Sequence, residues 1–368
     1  MPSKADIRAE AERLFAFFRT KGAQPVETDL LQPAETLLDL YGEDIRARAY
    51  VTGDPVRGEL MMRPDFTVPV VQMHMNDGAE PARYTYMGEV FRMQGAGTGR
   101  ASEYMQVGYE IFDRHDPAAA DAEVFSIFHE ALAPLGLRAA TGDIGILAAA
   151  VQGLSTSERR KAALMRHIWR PRRFRALLER FAGRGAAPVQ RAELVARLQQ
   201  ADAGDLIDAA GPELGLRSRA EVLDRLQALV ADATVEPLPE AELDAVSAIL
   251  ALADTAPNAL RRLGEIAGVL PSLRQAIETL EARIAALSAR GIAVETLPFE
   301  GSYGRSTMEY YDGFVFGFYP EGTDMPAIAT GGRYDALTRV LGQGRAIPAV
   351  GGVIRPEQAL RVAGGGMS

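Results

Sequence analysis

The chain opens on a helical repeat of apolar positions. Ile7, Ala11, Leu14, Phe15 and Phe18 recur at spacings of three and four, which places them on one helical face. Ser3 and Asp6 can cap its start and Gly22 can end it. Residues 25–41 hold Pro25 and Pro33, then a short periodic run from Leu37-Leu38 to Tyr41. Alternation over residues 48–62, about Gly53-Asp54-Pro55, predicts a hairpin. The apolar segment 66–75 predicts a helix. From Tyr86 to Phe112 the pattern is strand, loop, strand. Arg92 ends the first strand, Gly95, Gly97 and Gly99 lie in the loop, and Gln106 and Glu110 stand on the second strand. Strand side chains alternate, so Gln106 and Glu110 share one face with Gly108 between them. A glycine there leaves space above the sheet for a ligand or another backbone.

The next periodic run predicts a helix from Ala118 to Leu135, stopped near Gly136, with another short strand and helix through about residue 150. Residues 153–265 are rich in alanine, leucine and arginine, poor in β-branched and aromatic residues, and broken by Gly-Pro signals; they read as helical. The clearest helix runs from Ser272 to Arg290. Leu273, Ile277, Leu280, Ile284 and Leu287 form its stripe, Ser272 and Gln275 its capping box, and Gly291 its end. Strand-like segments return at Ala293–Leu297, Gly313–Tyr319, Ala327–Thr330 and Ala349–Ile354. Strand-rich parts flank the helical part, so the expected architecture is one α+β domain over 1–368 with a helical insertion at 153–265.

Composition narrows the chemistry. Hydrophobic residues make up 47% and charged residues 24%, as in ordinary globular proteins. A net charge of -9 argues against a dominant polyanion-binding surface, although a local basic face stays open. With no cysteine there are no disulfides, thiolate metal sites or cysteine nucleophiles. His74, His115, His129 and His167 form no ligand-spaced cluster, so neither a metal nor a cofactor is expected. The N-terminus is charged, without the apolar core of a secretory signal, and no apolar run reaches the roughly 18 residues of a membrane span; a cytoplasmic location is expected, with no membrane partner.

Several segments invite chemistry, each with a plainer reading beside it. Arg63-Pro64-Asp65-Phe66-Thr67 sits at a strand-to-helix junction and, alone, reads as a surface turn in which Asp65 or Thr67 caps the helix. Arg92, Gln106 and Glu110 either face solvent or line a pocket. An arginine suits an anion and a carboxylate suits a cation or N–H donor; an amino acid offers both. Tyr310-Tyr311-Asp312-Gly313 precedes a strand, where tyrosines usually pack with the hydroxyl at the rim. Gly331-Gly332-Arg333-Tyr334-Asp335 follows a strand and opens a helix, whose N-terminus can hold a carboxylate. Residues 159–175 carry Arg159, Arg160, Lys161, Arg166, Arg170, Arg172, Arg173 and Arg175: a solvated helix face, a partner-contact surface or a nucleic-acid contact.

Jointly and in order, these segments resemble the catalytic core of histidyl-tRNA synthetase, a class II synthetase. Gly22 through Pro33 is similar to motif 1, the dimer-forming segment. Leu60 to Thr67 is similar to the family's amino-acid-binding segment, with Asp65 in place of a glutamate. Tyr86 to Phe112 matches motif 2 and its following strand. Glu309-Tyr310-Tyr311 matches the second histidine-specific segment, Gly331 to Asp335 the Gly-Gly-Arg-Tyr-Asp turn, and Pro348-Ala349-Val350-Gly351 the start of motif 3. The resemblance implies a mostly antiparallel sheet flanked by helices. It also implies a histidine site made by Asp65, Thr67, Arg92, Gln106, Glu110, Tyr310 and Tyr311.

The departures bear on activity. Gln94 stands where the family has an ATP-binding glutamate. Arg355 replaces a glycine, Gln358 replaces the ATP-gripping arginine, and Ser306 stands at the catalytic arginine, with Arg305 adjacent. Only ten residues follow Gln358, so no anticodon-binding domain is expected. Kept histidine recognition without adenylation resembles a paralogous family, the regulatory subunits of ATP phosphoribosyltransferase. That resemblance implies a non-catalytic chain, with no catalytic residues of its own. It implies a homodimer within a larger hetero-oligomer that partners a short catalytic subunit, binds L-histidine, conveys feedback on histidine biosynthesis, and has no nucleic-acid partner. A diverged synthetase or a tRNA-sensing pseudo-synthetase is the alternative.

Overall fold

The computed structural model describes residues 2–35, 48–95, 101–185, 189–212, 215–305, 310–322 and 325–365. The run Leu37 to Tyr41, the glycines at 97 and 99, and Ser306 and Glu309 lie outside them. The chain order is α1 (Lys4–Thr20), β1 (Gln24–Pro25), β2 (Leu31–Pro33), β3 (Val51–Asp54), β4 (Gly58–Met62), α2 (Thr67–Asp77), β5 (Ala82–Phe91), β6 (Glu103–Phe112), α3 (Pro117–Leu132), β7 (Arg138–Asp143) and α4 (Ile144–Gln152). A helical stretch follows: α5 (Glu158–Arg166), α6 (Pro171–Phe181), α7 (Val189–Leu198), α8 (Ala203–Ala209), α9 (Arg219–Ala233) and α10 (Glu240–Ala251). The chain closes with β8 (Ala253–Thr255), α11 (Ala256–Ile266), α12 (Arg274–Ala289), β9 (Pro298–Glu300), β10 (Phe314–Tyr319), β11 (Ala329–Arg333), α13 (Asp335–Leu341), β12 (Ala349–Ile354) and α14 (Pro356–Gly365).

Nine strands form one sheet in the order β1-β5-β6-β12-β11-β10-β7-β9-β8. Only β1–β5 and β7–β9 pair in parallel; the other neighbours are antiparallel. A small second sheet, β2-β4-β3, contains the predicted hairpin. The class is therefore α+β, a mostly antiparallel sheet flanked by helices.

Local sequence explains most element ends. Ser3 and Asp6 form the capping box of α1, and Gly22 follows it at φ 88°. Asp116 caps α3, and Gly136 takes the left-handed conformation just beyond. Three expectations shift. Ala293–Leu297 contains a 3-10 turn at Val294–Thr296, and the strand β9 begins only at Pro298. The Ser272–Gln275 capping box is absent, because Pro271–Leu273 forms a 3-10 turn and α12 starts from Leu273 without a side-chain cap. The helical stretch is broken by β8, which pairs with β9 and joins the main sheet.

The sheet has two distinct faces. Residues directly opposite one another across strands share a face, so Tyr84, Tyr86, Gly88, Gln106, Gly108, Glu110, Gly351 and Gly332 lie on one. The other face carries Tyr109, Phe314, Phe316, Phe318 and Arg333, packed beneath α1, α3 and α12. There Asp121 of α3 is fully buried between two guanidinium groups. It accepts from Arg283 Nε at 2.8 Å and from Arg333 Nε and Nη2 at 3.0 and 2.7 Å. Arg283 Nη1 also lies 2.8 Å from Asp143 Oδ2. This network ties two helices to the middle of the sheet.

Candidate ligand site

Glu110 sits on the first face and is only 1% exposed. Its Oε1 accepts from the Tyr86 hydroxyl at 2.7 Å and its Oε2 from the Tyr334 hydroxyl at 2.5 Å. Both donors are neutral. Burial pushes the Glu110 carboxyl up to about 8, and the charge of Asp65 pushes the same way against the hydrogen bonds from Tyr334, Tyr86 and Thr67. The carboxylate has room because the residue opposite it is Gly351, where a Cβ would stand 1.5 Å from Oε2.

Gln106, two positions along the same face beyond Gly108, is 1% exposed, and its Oε1 is buried without a hydrogen-bond partner. A buried amide oxygen without a donor costs about 1–3 kcal/mol, so this oxygen can take a hydrogen bond from a ligand donor. Gly108 itself does not hold space open for a ligand. The Tyr86 ring lies across it, with Cζ 2.1 Å from where a Cβ would be. Phe66 stacks on that ring at 4.3 Å, and the Arg63 guanidinium caps Phe66 at 4.0 Å. Arg63 is fixed by the Glu89 and Thr28 carbonyls at 2.9 and 2.8 Å.

The Arg63–Thr67 junction is a buried turn, contrary to its surface reading, with Arg63, Asp65 and Thr67 all enclosed. Asp65 Oδ1 accepts from the Thr67 backbone N–H at 3.1 Å, while Oδ2 faces Arg92 Nη2 at 3.5 Å. Arg92 Nε donates to the Pro64 carbonyl at 2.7 Å, which brings the end of β5 onto this turn. Tyr310 crosses from the other side and donates to Thr67 Oγ1 at 3.4 Å. Tyr311 packs edge-on against Tyr310 at 4.9 Å, over the space left by Gly332. The expected residues thus converge from four segments: Asp65 and Thr67 with Arg92, Gln106 with Glu110, and Tyr310 with Tyr311.

Sequence reasoning missed Tyr86 and Tyr334 as the donors to Glu110. The signal for Tyr86 was cross-strand: an aromatic ring opposite a glycine covers it, as Tyr86 does Gly108 and Phe316 does Gly331. The two glycines at 331 and 332 lie inside β11 rather than at a turn. The N-terminus of α13 does hold a carboxylate, but it is Asp312, which accepts from the Asp335 and Ala336 N–H groups at 3.0 and 2.6 Å. Burial and the nearby Asp335 carboxylate raise Asp312 to about 6.

Three groups at or beside the expected ATP positions are turned to protein partners, while Gln358 Oε1 is buried with no hydrogen-bond partner among the described residues. Gln94 Nε2 donates to the Arg92 carbonyl at 3.3 Å. Arg355 donates to the Ala327 carbonyl at 3.0 Å and Thr330 Oγ1 at 3.2 Å. Arg305 donates through Nε to the Ile168 carbonyl at 2.7 Å and lies over the Phe174 ring. Burial, then repulsion from Arg175, lowers Arg305 to about 10. Among the described residues no group of three acidic or histidine side chains could hold a metal, and no helix is long and apolar enough to cross a membrane.

Comparison with known proteins places the chain in a family. The family model described as histidyl-tRNA synthetase matches residues 1–243 and 224–359. An ATP phosphoribosyltransferase regulatory subunit from Agrobacterium fabrum is 33% identical over 360 residues, covering 94% of both chains. Its counterpart in Brucella anthropi is 31% identical over 344 residues, covering 89% of this chain and 90% of the other. Among solved structures, an ATP phosphoribosyltransferase regulatory subunit/histidyl-tRNA synthetase from Bacillus halodurans superposes with a TM-score of 0.67 at 20% identity, covering 98% of this chain and 81% of that one. Histidyl-tRNA synthetase from Nostoc gives 0.63 at 17% identity, covering 98% and 72%.

Proposed function

The chain belongs to the family of ATP phosphoribosyltransferase regulatory subunits, built on a histidyl-tRNA synthetase-like core, and on that premise we propose that it binds L-histidine in the Glu110 pocket and conveys that occupancy to a short catalytic subunit. Its part in the enzyme is regulatory, not catalytic. The single observation that carries the reading is a cluster of buried acceptors on one face of the sheet. Glu110 is buried against neutral hydroxyl donors, and the Gln106 amide oxygen beside it has no donor among the described residues. A ligand with several N–H groups and a positive charge completes both.

In this proposal Glu110 accepts from the imidazole N–H, and Asp65, Thr67 and Gln106 surround the α-amine. Arg92, anchored at Pro64, takes the carboxylate. Tyr310 and Tyr311 wall the ring. The catalytic subunit supplies the site for ATP and phosphoribosyl pyrophosphate; this chain activates it within a cytoplasmic hetero-oligomer built on a homodimer. Feedback needs histidine to favour one arrangement of the complex by about 1–3 kcal/mol.

Titration calorimetry with histidine, and activity of the co-purified complex with and without it, test the reading. Wild type should bind and be inhibited, while Glu110→Gln should bind at least about tenfold more weakly, since an unpaired buried partner costs roughly 1–3 kcal/mol. Histidine-dependent ATP–pyrophosphate exchange by the isolated chain, or no histidine binding, overturns it.

A further inference from the structure

The basic segment is not absorbed by the pocket chemistry, and the structure divides it sharply. Arg160 is buried and committed: it bonds Asp232 Oδ1 at 2.7 Å and the carbonyls of Asp232, Val235 and Glu236. Lys161 pairs with Glu158 at 3.0 Å. Arg159, Arg166, Arg172, Arg173 and Arg175 are exposed, and none has a carboxylate within ion-pair distance among the described residues.

The exposed charges are also gathered. Arg172, Arg173 and Arg175 lie near the start of α6, and His167, between α5 and α6, is held below its usual range by burial and then by the charges of Arg170, Arg173 and Arg166. Arg175 acts in the same way on Arg305. The segment is bolted to the pocket wall beneath. Ile168 receives Arg305, and the Trp169 indole N–H donates to the Tyr311 carbonyl at 3.3 Å. The basic segment is therefore joined to Arg305 and to Tyr311, the second of the expected site tyrosines.

We propose that the exposed face of α5 and α6, with Arg166, Arg172, Arg173 and Arg175, is the docking surface for an acidic patch on a partner protein. The inference rests on the regulatory reading above, in which the partner is the catalytic subunit. Unpaired like charges held on two short helices repel one another, and an apposed carboxylate cluster relieves that repulsion. Arginine forks suit carboxylates pairwise. The rest of the chain is strongly acidic, the net charge being -9 despite this patch. A long phosphate backbone running beyond the patch meets repulsion that a compact acidic patch avoids. The position puts the partner on the same segment that braces Tyr311 through Trp169.

The test is the association rate of the catalytic subunit with wild type and with the combined variant Arg172→Glu, Arg173→Glu, Arg175→Glu, at low and at physiological salt. Wild-type association should slow steeply as salt rises, and the variant should associate about tenfold or more slowly at low salt with a flattened salt dependence. Histidine affinity of the variant should match wild type and its thermal melt should not fall below wild type, which separates lost docking from lost folding. Unchanged association with unchanged salt dependence overturns the proposal. So does tight, variant-sensitive binding of tRNA with assembly intact. If wild type fails to assemble with the catalytic subunit at any salt, the regulatory reading and this surface fall together.

Discussion

Two buried carboxylates on opposite faces of the same sheet have opposite surroundings. Asp121 is wholly enclosed and meets two guanidinium groups, each held elsewhere as well. Glu110 is as deeply enclosed and, among the described residues, meets neutral hydroxyls, those of Tyr86, Tyr334 and Thr67, rather than a guanidinium. Burying an ion is expensive unless an opposite charge and hydrogen bonds offset the lost hydration. The Asp121 network makes that compensation within the chain, so it serves the fold. The Glu110 site leaves it incomplete, and the same physics that makes this unfavourable makes it receptive to a cationic, N–H-rich ligand.

The strongest test of this contrast is to damage the compensated side. Arg283→Met leaves Asp121 with one guanidinium and Asp143 without its buried partner. Stability to urea should fall by about 3–5 kcal/mol. A loss below about 1 kcal/mol would remove the distinction between the two carboxylates.

The uncompensated side should show itself in pH dependence. The folded carboxyl of Glu110, raised to about 8 by burial, holds its proton more tightly than the same group in the unfolded chain, whose ordinary value is 4.5. Its contribution to stability is then full below the unfolded value and is lost as pH rises toward 8. Wild type should lose stability relative to Glu110→Gln by up to about 1.4 kcal/mol per pH unit through that window. Parallel pH profiles for the two proteins would show that Glu110 is neutralised by some means other than protonation.

Smaller changes sharpen the geometry. Gly351→Ala places a methyl group where Glu110 Oε2 lies, and should cost about 1–3 kcal/mol of stability together with histidine affinity. Equal affinity with reduced stability would separate the carboxylate from the ligand. Tyr334→Phe removes one neutral donor, and should destabilise the free protein by about 1 kcal/mol while leaving the Asp121 network intact. Equilibrium unfolding measures both.

Much of this was legible in sequence because it rests on local periodicity. The capping box of α1, the β3–β4 hairpin and the strands β6 and β12 follow from spacing alone. So does the pairing of Gln106 with Glu110 on one face. The failures share a cause. Val294 and Leu297 mimic a strand, yet they are buried through a 3-10 turn whose three-residue spacing looks much like alternation over so short a run. Ser272 was shifted out of the cap position by Pro271, and it packs instead against Gly153. Arg283 interrupts an apolar stripe, and its burial is intelligible only with Asp121, 162 residues away. Tyr86 and Tyr334 became site residues only through cross-strand register and the Gly-Gly strand, which a one-dimensional pattern does not contain.

The contact between Trp169 and the Tyr311 carbonyl has a practical side. Trp169 is the only tryptophan in the chain, and its indole sits at the seam between the basic helices and the pocket wall. Tryptophan emission from the unlabelled protein, excited selectively over its tyrosines, therefore arises at that single junction. A disturbance of the wall from the pocket, or of the helices from outside, reaches the same fluorophore, so both can be followed as a spectral change in the native molecule.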